Sequence, residues 1–147
     1  MKRTALRALI MTGVMMCVLV SAVFAAGQDD LQKYFNDTAC KVKATADPLE
    51  KRAILNERLE KMSKALDIVD NSALVSEADR AGIDGFKATV QERQNELNGT
   101  AGYDRVPDEQ LNAFSDYVVQ DGEQADRTIT ISLVVLLLII IIVILLV

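Results

Sequence analysis

Residues 129–147 read ITISLVVLLLIIIIVILLV, nineteen residues in which Thr130 and Ser132 are the only polar side chains. A helix of that length rises about 28 Å, close to the hydrocarbon thickness of a bilayer. A domain cut from a chain of 147 residues has little interior in which to hide such a run. Its many β-branched residues weaken a helix in water. In lipid the backbone must bond internally, and helix becomes the available form. The run is therefore expected to be a transmembrane anchor over 128–147, with bilayer contact through 129–147. It has no intramembrane charge and no small-xxx-small motif, so a channel, a proton path or a tight dimer seam is not expected.

The other end constrains topology. Lys2, Arg3 and Arg7 precede an uncharged apolar run from Ala8 to about Val20, then Ser21-Ala22-Val23-Phe24-Ala25-Ala26. A basic head, an apolar middle and a small-residue exit are the three parts of a secretory signal peptide. Val23 and Ala25 suit the positions three and one before a cut, so residues 1–25 are read as a signal. An uncleaved signal anchor would give those small residues no use. Cys17 follows Met15 and Met16 rather than the small residues of a lipobox, and leaves with the signal. The basic head favours an inside N-terminus before cleavage. The segment 26–127 then lies outside the cytoplasm, on the periplasmic side if the cell has two membranes. With no Lys or Arg after Val147, the tail is expected to finish near the inner face. A GPI signal fits poorly, because Ser115-Asp116-Tyr117 and Asp121-Gly122-Glu123 are not runs of small residues.

All 21 acids lie beyond the signal, together with 13 of the 16 basic residues, so the segment 26–127 carries a net charge of −8. That balance disfavours nucleic acid, whose phosphates need a basic surface. It also disfavours lying flat on anionic lipid.

The periodicity of this segment is helical. A first helix is expected from about Asp30 to Ala46, with Leu31, Tyr34, Phe35 and Val42 on its apolar side. Asp47-Pro48 opens a second, running to Asp70, since Asp caps and Pro suits the first helical position. Leu55, Leu59, Met62, Leu66 and Val69 recur at heptad spacing, the pattern of a packing seam. Lys51, Arg52, Glu57, Arg58, Glu60, Lys61 and Lys64 are assigned to the other face, with Glu57–Lys61 and Glu60–Lys64 as favourable i, i+4 pairs. Ser76-Glu77-Ala78-Asp79 resembles a capping box and opens a third helix to about Asn98. There Ile83, Phe86, Val90 and Leu97 keep phase and Gln94 breaks the repeat. Gly82 and Gly85 sit inside it, each costing up to about 1 kcal/mol relative to Ala; close packing against a neighbour or mild fraying would account for them. Asn98-Gly99 closes it. A fourth helix starts at Pro107, with Leu111, Phe114, Val118 and Ala125 on one stripe. No proline separates it from the apolar tail and Gly122 is its only weak point, so it is expected to continue, straight or with a bend, into the membrane segment. The expected fold is all-α: a small up-and-down bundle of about four helices whose last helix becomes the anchor.

Chemistry is sparse. The chain has no His, which removes His-based metal sites, Ser-His-Asp triads and Cys-His dyads. The acids are spread over helix starts and solvated faces. None has EF-hand spacing, and no P-loop, GxSxG or GxGxxG occurs. No enzyme activity, cofactor or metal is expected. Cys40 is the one cysteine beyond the signal, and an intermolecular disulfide through it is set against a small core residue. Asn36-Asp37-Thr38 and Asn98-Gly99-Thr100 are sequons, which short chance matches supply often. The expected role is non-catalytic: a single-pass membrane-anchored extracytoplasmic helical domain acting in protein–protein interaction, as accessory subunit or scaffold of an envelope complex. The residues expected to carry association or self-association are the coiled-coil-like seam Leu55, Leu59, Met62, Leu66, Val69, Ile83, Phe86 and Val90. The alternative is a ligand-binding sensory ectodomain that needs a signalling partner. A holin-like membrane-active protein is less favoured, because one uncharged span makes a poor pore.

Overall fold

The computed structural model describes residues 31–73, 75–128 and 133–146. The expected signal peptide lies outside the described residues. The described residues are mostly helical, with no strand among them. Helix α1 covers residues 31–44. Then follow α2 (Pro48–Asp70), α3 (Glu77–Asn98), a 3-10 turn (Asp108–Gln110), α4 (Leu111–Thr128) and α5 (Leu133–Leu146).

Local chemistry sets the helix ends. The Asp47 side chain accepts from the Leu49 amide at 3.1 Å and Pro48 follows in the first turn of α2, filling the positions where donors are otherwise orphaned. Ser76 accepts from the Asp79 amide at 3.2 Å and opens α3. At the far end of α3, Gly99 is left-handed at φ 69°. Thr100 donates to the Asn95 carbonyl at 2.9 Å and Gly99 to Glu96 at 3.4 Å, a Schellman closure. A Cβ on Gly99 would lie 2.7 Å from that of Arg105 and 2.9 Å from its backbone nitrogen. Both the conformation and the close strand of chain beside it therefore call for glycine.

Cross-contacts fix the directions. Asn56 and Asn98 exchange amide hydrogen bonds while Lys87 pairs with Asp67 at 2.7 Å, so α2 and α3 are antiparallel. Tyr34 donates to the Arg58 carbonyl across the short 45–47 connection, so α1 runs back along α2. Lys43–Asp116 at 2.5 Å and Gln32–Glu123 at 3.0 Å set α1 antiparallel to α4. Arg93–Asp121 ties α4 to α3. Helix α2 is the hub, packed on α3, α4, the 3-10 turn and α5. One continuous apolar cluster joins Leu31, Phe35 and Val42 of α1 to the α2–α3 seam, to Leu111, Phe114 and Val118 of α4, and to α5.

The placement of α5 corrects the expected architecture. Instead of running clear of a four-helix bundle, α5 is a fifth helix lying against α2. It buries Val135, Ile139 and Val143 in the shared core. Among the described residues no helix is long and apolar enough to cross a membrane. The 14 described residues of α5 rise about 21 Å, short of the roughly 30 Å of a hydrocarbon core. The physical reason for the seat is ordinary: an apolar stripe beside a bundle in water gains by covering itself there. Continuity of α4 into α5 falls on residues 129–132, outside the described residues.

Candidate functional site

The eight residues of the sequence seam come together, and they do so inside one chain. Leu55, Leu59, Met62, Leu66 and Val69 of α2 face Ile83, Phe86 and Val90 of α3, and all eight are buried. The seam is the core of the α2–α3 pair.

Two further seam positions are occupied by arginine. Arg52 stands three residues before Leu55, in phase with the stripe, and is buried rather than on the outer face. Arg93 is in phase between Val90 and Leu97 and is also buried. It, and not Gln94, takes the position where the apolar repeat lapses. Arg52 donates to the Leu97 carbonyl, to the Val106 carbonyl at 2.6 Å and to the Asp108 carboxylate at 2.7 Å. Leu97 lies in the last turn of α3, where carbonyls lack intrahelical partners and a positive charge is favoured. The relation is reciprocal. Arg80 of α3 donates to the carbonyls of Asp70 and Ser72, at the end of α2. Neither helix has a basic residue in its own last turn, and each receives an arginine from its neighbour.

Arg93 binds Asp121 of α4 at 2.5 Å and Glu96 at 2.8 Å, with its guanidinium 4.3 Å from the centre of the Tyr117 ring. Burial opposes its charge, but the bonds to Asp121 and Glu96 outweigh this and hold it protonated more firmly than an ordinary arginine. On α1, burial raises Tyr34 above the ordinary tyrosine value, and the Arg58 guanidinium, 5.2 Å from its ring centre, partly offsets that.

Gly122 is not a weak point of α4 but a notch. A Cβ there would lie 2.5 Å from the Phe35 ring, which reaches across from α1 and meets Phe86 edge-on at 6.4 Å. The recess beside it, lined by Phe35, Leu59, Phe86, Arg93, Val118 and Gly122 among others, has room for about one water. Among the described residues no group of His, Cys, Asp and Glu is arranged to hold a metal ion. Cys40 is a free thiol on the exposed side of α1. Asn36 and Asn98 are both exposed; Asn98 is engaged with Asn56 and the Gln94 carbonyl.

The remaining feature is the outer side of α5. Val135, Leu138, Ile139, Ile142 and Val143 face the core. Ile141, Ile144 and Leu145 are 45%, 62% and 79% exposed. Among the described side chains of α5, those on one stripe are covered and these three leave an apolar strip in water. Searches of protein-family models, curated proteins and solved structures gave no match.

Proposed function

We propose that the chain is a non-catalytic, single-pass membrane-anchored helical domain that works by protein–protein contact outside the cytoplasm, as accessory subunit or scaffold of a membrane complex. The observation that carries this reading is the uncovered strip Ile141, Ile144 and Leu145 on a helix with no polar side chain. That strip belongs to the nineteen-residue apolar run 129–147, whose natural cover on every face is hydrocarbon. The signal-like residues 1–25 support an extracytoplasmic placement of the bundle.

The test is fractionation of cells expressing the full chain, then crosslinking, detergent extraction and affinity purification. The wild type is expected in the membrane fraction, resistant to alkaline carbonate, with a stoichiometric partner or with itself. Ile141→Asp combined with Ile144→Asp should shift it out of that fraction, since each acid costs up to about 3 kcal/mol in hydrocarbon. Both side chains are solvent-facing, so the bundle itself should stay folded. Wild-type protein recovered wholly in the soluble fraction would overturn the reading.

A further inference from the structure

Helix α5 has two possible seats, and they exclude one another. Its Val135, Ile139 and Val143 stripe is buried in the bundle, with α2 as its packed neighbour. Helix α2 cannot accompany it into hydrocarbon: ten of its 23 residues are Asp, Glu, Lys or Arg, each costly there. Resting on the anchor reading above, we propose that α5 is stored against α2 while the chain is in water and leaves α2 when it enters a bilayer, so that insertion bares the side of α2 that α5 covers.

Three observations point this way. The stored seat covers one stripe and leaves Ile141, Ile144, Leu145 and Leu146 exposed, whereas a bilayer covers all faces. Every side chain from Leu133 to Leu146 is apolar, so α5 has no side chain with which to form a hydrogen bond or ion pair to the bundle. The other helices are tied by polar bonds: Lys43–Asp116 joins α1 to α4, Lys87–Asp67 joins α3 to α2, and Arg93–Asp121 joins α4 to α3. Helix α5 is therefore the element that departs without breaking an ion pair, and the four-helix remainder keeps its ties.

The experiment uses the chain from residue 26, freed of the expected signal whose apolar run would itself bind lipid, made by cell-free synthesis without lipid and divided in two, with phosphatidylcholine vesicles added to one half. Flotation and hydrogen exchange are read on both. In the lipid-free half, α5 amides are expected to be protected. With vesicles the chain should float, α5 amides should slow further, and α2 amides should exchange about tenfold faster while α3 changes little. Ile141→Asp with Ile144→Asp should keep the stored seat and show no change on adding vesicles. A chain that floats with α2 exchange unchanged would overturn the storage while leaving the anchor standing. A chain that does not float would overturn both. A lipid-free chain that aggregates, or whose α5 amides exchange freely, would show that the stored seat does not form in water.

Discussion

At the scale of single residues, two glycines in similar helical settings are predicted to respond oppositely to the same substitution. A Cβ at Gly85 meets nothing within 4 Å, so close packing does not explain that glycine. Gly85→Ala should gain about 0.5–1 kcal/mol through helix propensity. A Cβ at Gly122 would enter the Phe35 ring. Gly122→Ala should lose about 1–3 kcal/mol to overpacking, more than propensity returns. Denaturant midpoints decide both, and a stabilised Gly122→Ala would mean that Phe35 does not sit in the notch. The buried arginines make a sharper case. Arg52→Lys keeps the charge but loses the planar fork that reaches three acceptors. It should cost about 2–3 kcal/mol, seen as an earlier unfolding midpoint. Heptad spacing made the apolar seam legible, yet hid Arg52 and Arg93. A hydropathy pattern assigns every charge to the surface, although both arginines keep the seam's phase. What brings them inside is a demand from other segments, carbonyls at a helix end and the carboxylate of Asp121, which no local window contains.

At the scale of elements, helix starts and stops were readable because caps are local chemistry: Asp47-Pro48, Ser76 to Asp79 and Asn98-Gly99 each act within a few residues. Which neighbour closes a helix end was not, because Arg80 comes to α2 from ten residues beyond Asp70. The same cross-helix contacts set the pH response. Tyr34 is raised above 10.0 by burial, with Arg58 opposing. Lys87 is raised above 10.5, chiefly by its bond to Asp67, against burial, with Asp70 adding. For both groups the folded state favours the protonated form. Their contribution is complete below the unfolded values and is lost as pH rises through the folded ones, so the bundle should weaken above about pH 10. Tyr34→Phe removes the hydrogen bond to the Arg58 carbonyl and should cost about 1 kcal/mol at pH 8. It also removes the ionisation, so the deficit relative to wild type should shrink as pH passes 10. Guanidinium midpoints at pH 8 and pH 11 measure this, and an unchanged deficit would mean that Tyr34 titrates as an exposed tyrosine.

At the scale of the whole molecule, the seam that sequence assigned to a partner is satisfied within the chain, and this changes what association can rest on. Leu55, Met62, Leu66, Val69 and Ile83 are fully covered by the chain's own helices. A seam formed between chains gives an unfolding midpoint that moves with protein concentration, because association binds the native state by mass action. A seam formed within one chain does not. The denaturant midpoint of the full chain in a mild detergent, which covers α5, is therefore expected to stay constant over a hundredfold range of concentration. Leu66→Ala should lower it by about 2–5 kcal/mol of stability, as for other buried leucines, without introducing a concentration dependence. A midpoint that rises with concentration would return the seam to an interface between copies. If it holds constant, association rests on surface outside the seam. The −8 charge of residues 26–127 then favours a partner with a basic face, and capture of that partner should weaken steeply as salt is raised from about 0.05 to 0.5 M, where screening shortens the reach of surface charge.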